Sequence, residues 1–178
     1  PAPITLPAAG PEISQQILNL INSESIVFHK SCKIKSVEKN KLIFQNGEAN
    51  FDLLLAIPPH IAPKVIYDSE LAKEDGFIPI NRDCKTSFEN VFAVGDVTTL
   101  TVVDTMTVPK AGIFAEGEGI TVAQNIISKI QSKKESALFD GKGGCFIESG
   151  RDTASIIEVD MFSKPTPSTK LTESTTQH

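Results

Sequence analysis

The chain presents a carboxylate, an ammonium and a thiol in settings that could do chemistry. The carboxylate is Asp96, in "VFAVGDVTTL" at 91–100. An apolar run ends there on Gly95-Asp96, so a short strand would deliver a two-oxygen acceptor to its own C-terminal end. In open α/β sheets that end borders the ligand crevice. Gly95 would let a ligand or another backbone approach closely. An Asp in this place also closes turns, and residue types alone leave both roles open. The ammonium is Lys110, in "MTVPKAGIFAEGEG" at 106–119. Pro109, Lys110, Ala111 and Gly112 read as the start of a helix, with proline preset for its first position. The free N–H groups and dipole of such a start favour negative charge, and Lys110 adds to it. Together they suit a ring that becomes anionic on reduction, although a lysine is most often a solvated surface residue. The thiol is Cys145, behind Gly143 and Gly144, with no acidic residue within two positions. A reactive cysteine works as a thiolate that must be reachable. The usual role of a free cysteine is a small buried apolar one.

The elements that must position these groups follow from periodicity. Ile13, Ile17, Leu20 and Ile21 recur at helical spacing, which predicts an amphipathic helix over 12–23. "SIVFH" at 25–29 reads as a strand. Residues 33–52 read as a three-stranded antiparallel meander, turning at Lys39-Asn40 and at Asn46-Gly47, the second being a strong hairpin signal. "DLLLAI" at 52–57 is a continuous apolar run, as in a strand buried on both faces, and Pro58-Pro59 ends it. "FIPI" at 77–80 and "VFAV" at 91–94 read as two further strands. A long helix follows Pro109, carrying Ile113, Phe114, Ile120, Val122, Ala123, Ile126, Ile127 and Ile130. Gly112, Gly117 and Gly119 each weaken it, so close packing against its backbone is expected. Residues 139–149 and 153–162 read as strands of a small C-terminal sheet, and 163–178 as a polar tail without a core.

Composition removes several classes of function. With 40% hydrophobic and 22% charged residues the chain is a globular type rather than a disordered one. A net charge of −5 argues against nucleic acid as a partner. No run has the length of a membrane helix. Cys32, Cys84 and Cys145 are far apart and form no CxxC, so no metal site is expected, and so sparse a count suits a reducing, cytoplasmic setting. Cys32 and Cys84 read as structural, Cys84 in an exposed loop. Glu116 and Glu118 read as a solvated helix face, and His60 as a hinge residue; His29 and His178 carry no signal. A self-sufficient dinucleotide site would open on GxGxxG, but "GEGITV" at 117–122 lacks the last glycine and "GKGG" at 141–144 is not a phosphate loop.

"TSFENVFAVGD" followed by "VPKAGIFAEGEGITVAQNI" resembles the C-terminal part of the FAD-dependent pyridine nucleotide–disulfide oxidoreductases. "FDLLLAIPPH", "DGKGGCFIESG" and "KPTPSTKL" narrow the resemblance to the sulfide:quinone oxidoreductase-like branch. It implies an α/β fold, a partial two-dinucleotide-binding flavoprotein with Rossmann-like FAD and NAD(P) lobes, an antiparallel meander and a small C-terminal sheet. Residues 1–75 would be the second half of the NAD(P)-type domain, 76–135 the returning segment of the FAD domain, and 136–178 the start of an interface domain.

The resemblance also implies roles. Asp96 would bind the ribityl hydroxyl of FAD, with Gly95 allowing the approach. Lys110, Ala111 and Gly112 would lie by the pyrimidine end of the ring, and Pro109 would be a further cofactor-binding residue. Cys145 would be a redox cysteine in a transfer from sulfide to flavin to quinone, and NAD(P)H is a further ligand the family uses. The alternatives are a type II NADH:quinone or ferredoxin-reductase-like flavoprotein, or a cofactor-free interaction module. The chain lacks the phosphate-binding glycine loop, so it is expected to be a fragment whose partner is an N-terminal FAD-binding half. Alone it should be inactive, hold FAD weakly and self-associate through its uncovered surfaces. The whole protein is expected in the cytoplasm with peripheral membrane attachment.

Overall fold

The computed structural model describes residues 2–104, 106–133, 137–150, 152–173 and 175–176, which form two compact units, Pro1–Pro59 and His60–His178. His178 lies outside the described residues.

In the first unit, α1 (Gly10–Ser23) follows a short 3-10 turn at Pro7–Ala9. Its buried Ser14 is tied to the preceding chain: Ser14 Oγ donates to the Leu6 carbonyl at 2.9 Å, and Thr5 Oγ1 donates to the Ser14 carbonyl at 2.7 Å. The expected meander forms from β1 (Ile34–Glu38), β2 (Lys41–Phe44) and β3 (Gly47–Asn50), all antiparallel. Phe44 pairs with Gly47, so the second turn is centred on Gln45 and Asn46, one residue before the expected dipeptide.

Two expected strands of this unit are absent among the described residues. The 25–29 stretch pairs with nothing, and the 52–57 run is unpaired with Leu53, Leu55 and Ile57 at 76%, 87% and 89% exposure. An apolar run encodes a preference for burial, but a strand also needs a neighbour to take its N–H and C=O groups.

The second unit contains α2 (Lys64–Tyr67), β4 (Ile78–Pro79), β5 (Thr98–Thr99), β6 (Thr101–Val103), β7 (Met106–Thr107), α3 (Gly112–Ile130), β8 (Lys142–Gly150), β9 (Thr153–Asp160), β10 (Ser168–Leu171) and β11 (Thr175–Thr176). β4 and β5 pair in parallel. β9 is flanked by antiparallel β8, β10 and β11, so the stretch expected to be a polar tail returns as edge strands of the C-terminal sheet. "VFAV" at 91–94 is extended but contributes only an isolated bridge, Phe92 to Lys85, and is not the buried strand its composition suggests. The helix begins at Gly112, not at Pro109, because Ala111 is still extended (φ −152°, ψ 145°).

The core gathers Ile78, Ile80, Cys84, Leu100, Val108, Phe114, Phe139 and Met161. Phe139 is its centre, 1% exposed and edge-on to both Phe114 and Phe162 at 6.3 Å. Its carbonyl accepts from Arg82 Nε and Nη2 at 3.0 and 2.9 Å, and the Arg82 guanidinium stacks on the Phe162 ring at 4.2 Å.

α3 does not bury its isoleucines. Ile113, Ile120, Ile126, Ile127 and Ile130 are all exposed, and the buried stripe is Phe114, Glu118, Thr121 and Asn125. Phe114 packs on Phe139, while Glu118 and Asn125 on the same face meet backbone. Asn125 Nδ2 donates to the carbonyls of Asp83 and Ala137, and its Oδ1 accepts from the Ala137 N–H.

The glycines of α3 differ in what they meet. A Cβ at Gly117 would stand 2.7 Å from Cε2 of Phe139, whereas one at Gly119 would meet nothing within 4 Å. Phe139 is pinned between two rings and cannot yield. Gly117→Ala is therefore expected to lower thermal stability by about 1 kcal/mol net, overpacking outweighing helix propensity. Gly119→Ala should raise it by up to about 1 kcal/mol. Melting curves of the two variants should shift in opposite directions; equal shifts would contradict the packing described.

Candidate functional site

The Gly95-Asp96 turn is a 3-10 turn, Gly95–Val97, entered from extended Val94 (φ −142°, ψ 156°). Gly95 has φ +79°, a conformation that side chains disfavour, and a Cβ there would meet the Ala115 Cβ of α3 at 3.4 Å. Glycine is needed for the turn itself as well as for close approach. Thr98 Oγ1 closes the turn by donating to the Gly95 carbonyl at 2.8 Å.

Two charged side chains hold this turn. Glu118, 3% exposed on α3, reaches across so that its Oε2 accepts from the Gly95 N–H at 2.6 Å. Lys110 Nζ donates to the backbone carbonyls of Asp96 and Thr98 at 2.7 and 2.8 Å. The same ammonium lies 3.7 Å from the centroid of the Phe77 ring, a cation–π contact. It is the backbone of Asp96 that Lys110 engages; the Asp96 residue is exposed.

Of the residues singled out in the sequence, Gly95, Asp96, Pro109, Lys110 and Ala111 border one crevice between the turn and the start of α3. Its volume is about 10 Å³, room for no more than a water, so any larger ligand would lie across its mouth. Gly112 is exposed as the first residue of α3, and Ala111 makes no side-chain capping bond. Phe114 and Ala115 donate to the Ala111 carbonyl at 3.0 and 3.1 Å, so it is the N–H groups of Gly112 and Ile113 that precede the helical bonding.

Cys145 is not part of this crevice. It is exposed on β8, opposite Ile157 of β9. Side chains alternate along a strand, so Cys145 shares a face with Gly143. A Cβ on Gly143 would meet Phe114 and Ile113 at 2.7 and 3.1 Å, which brings that face of β8 against the first turn of α3.

Two sequence expectations are corrected here. Cys84 is fully buried, not in an exposed loop, and its Sγ donates to the Glu118 carbonyl at 3.8 Å. Burial first, then the charges of Glu118 and Asp83, push its pKa up to about 12, so it is a thiol and no nucleophile at neutral pH. Glu118, expected on a solvated helix face, is buried and bonded to the turn; of the two glutamates Glu116 is the exposed one. The available signal was spacing: 114, 118, 121 and 125 fall on one helical stripe.

Burial holds the Glu118 carboxyl above its ordinary range, against the Gly95 bond and the Lys110 charge, which pull it down. Burial likewise holds Lys110 below its ordinary value, despite the carboxylates of Asp96, Asp75 and Glu118. For Glu118 the folded state binds the proton more tightly than the unfolded state. That stabilisation is complete below the ordinary carboxylate range and is lost as pH rises through the raised folded value. Glu118→Gln cannot titrate. Thermal melts from acidic to neutral pH should show wild type losing stability relative to Glu118→Gln as pH rises; a pH-independent difference would contradict the burial.

Residues 1–126 match the pyridine nucleotide-disulphide oxidoreductase family. The chain is 30% identical over 129 residues to the mitochondrial sulfide:quinone oxidoreductase of Schizosaccharomyces pombe, covering 71% of this chain and 27% of that protein. It is 30% identical over 91 residues to a coenzyme A disulfide reductase of Staphylococcus epidermidis, covering 49% of this chain and 21% of that one. The chain thus spans about a quarter of the length of these relatives. A ferredoxin reductase structure from Rhodopseudomonas palustris superposes with a TM-score of 0.63 at 16% identity, over 89% of this chain and 39% of that one, which is a likeness of fold. With its Gly-Asp turn set against the start of α3 and more than half its length matched, the chain belongs to the pyridine nucleotide-disulphide oxidoreductase family.

Proposed function

We propose that this chain forms one wall of the FAD site of an oxidoreductase of the sulfide:quinone type. The observation that carries the reading is the convergence of the Gly95–Val97 turn and the start of α3, with Asp96 exposed between them. The residues fit the cofactor. An exposed carboxylate suits ribityl hydroxyls, and beside it stands a positive-φ glycine with no side chain in the way. The uncapped N–H groups at Gly112 suit the electron-rich edge of the ring. Bound FAD would supply two-electron transfer between a donor and an acceptor. The chain's own residues bind and orient. Asp96 accepts a hydroxyl, Pro109 and Ala111 shape the approach, and Lys110 fixes the turn from behind.

The sulfide branch rests on Cys145. Its thiol is exposed, on the β8 face that meets the first turn of α3 at Gly143. Two further features support a larger protein around this chain. The isoleucine face of α3 is exposed, and so is the 52–57 run. An N-terminal FAD-binding half would cover such surfaces; quinone and NAD(P)H would meet the assembled protein. Among the described residues no helix is long and apolar enough to cross a membrane. We place the whole protein in the cytoplasm with peripheral membrane attachment.

In the full-length protein, Asp96→Ala should weaken FAD binding by about tenfold to a hundredfold, the loss of a hydrogen bond to a charged acceptor. Unchanged FAD affinity would refute the site. Cys145→Ser should keep its FAD and lose sulfide-dependent quinone reduction. Undiminished turnover would instead favour an NADH:quinone-like or ferredoxin-reductase-like enzyme, which needs no redox cysteine.

A further inference from the structure

A buried carboxylate needs a physical reason, because taking the charge from water is costly unless it is paired and hydrogen-bonded. Glu118 is 3% exposed, and its Oε2 is spent on one backbone N–H, that of Gly95, at 2.6 Å. That residue is separated from it by 23 positions in sequence. On the other side of the same turn, Lys110 spends its ammonium on the carbonyls of Asp96 and Thr98 at 2.7 and 2.8 Å. The anion takes the N–H side of the turn and the cation takes the carbonyl side. Between these hydrogen bonds sits Asp96, whose carboxylate takes part in neither of them and acts on Lys110 only through its charge.

We infer that Glu118 and Lys110 are positioning residues that grip the Gly95–Thr98 segment and set Asp96 in place before any cofactor arrives. The inference rests on the reading of Asp96 as an FAD ligand and deepens it. It assigns Lys110 to the backbone of the turn, where the resemblance alone had put it beside the flavin ring. It also brings in Glu118, which contacts no cofactor in this scheme. The arrangement is an economy of ordering: a turn already held loses less freedom when ligand binds. Gly95 at φ +79° is the weak point of the segment, since glycine is the residue with most freedom to lose, and it is there that the carboxylate is attached.

The test uses the full-length protein and FAD, with binding read by quenching of flavin fluorescence and folding read by thermal melts of the apoprotein. Glu118→Leu, which removes the acceptor, should fold and weaken FAD binding by about tenfold or more. Glu118→Gln, which keeps an oxygen for the Gly95 N–H, should recover most of that affinity. Asp96→Ala serves as the reference. If Asp96→Ala weakens binding and Glu118→Leu does not, the positioning role is overturned while the FAD site stands. Equal losses in Glu118→Leu and Glu118→Gln would also overturn it. If neither Asp96→Ala nor Glu118→Leu matters, the FAD reading fails and takes this inference with it. Amide hydrogen exchange on wild-type apoprotein needs no variant and decides the case if Glu118→Leu cannot fold. The Gly95 N–H should be protected before FAD is added, and fast exchange there overturns the inference.

Discussion

The hydrogen bond from the Gly95 N–H to the Glu118 carboxylate joins the middle of α3 to the turn that carries Asp96. It forms only if several other conditions are met. α3 must begin where it does, so that Glu118 points inward one turn after Phe114. Gly95 must hold a positive φ, so that its N–H faces the helix. The turn must lie close to the helix, as it does at Ala115, whose Cβ a side chain on Gly95 would touch at 3.4 Å. Lys110 then restrains the carbonyl side, and Thr98 closes the turn on Gly95.

α3 is in turn located by glycines and by one aromatic ring. Gly117 lets the helix lie on Phe139, and Gly143 lets β8 lie on Phe114 and Ile113. The first contact sets the helix against the core, and the second sets the Cys145 face of the C-terminal sheet against the helix start. Arg82 holds Phe139 by its carbonyl, and Asn125 ties the far half of α3 to the chain at Asp83 and Ala137. The site and the core are therefore not separable: the stripe that fixes α3 includes the residue that fixes the turn.

The sequence was readable where one local pattern decides the outcome. Alternation and turn residues marked the meander, and the 139–149 and 153–162 stretches formed strands of the expected C-terminal sheet, paired antiparallel. Most of the candidate residues border one crevice, because the Gly-Asp and Pro-Lys motifs lie close in sequence. What was not readable depended on partners. The runs at 52–57 and 91–94 have the hydrophobicity of buried strands but lack the flanking strands that would make them so among the described residues. On α3, hydrophobicity pointed to the isoleucines, whereas the helix buries Phe114 on the Phe139 ring and, on the same stripe, Glu118 and Asn125 on backbone N–H and C=O groups. Glu118 and Cys84 were misplaced for that reason: whether a side chain is solvated depends on what packs over it, which short-range sequence does not encode.

The central claim is that a turn fixed by Glu118 presents Asp96 to the ribityl chain of FAD. A crystal structure of the full-length protein with FAD bound measures it directly. An Asp96 carboxylate oxygen is expected within hydrogen-bonding distance of a ribityl hydroxyl, with the Glu118 bond to the Gly95 N–H still in place. A flavin seated elsewhere, or seated here with Gly95 turned away from Glu118, would contradict it.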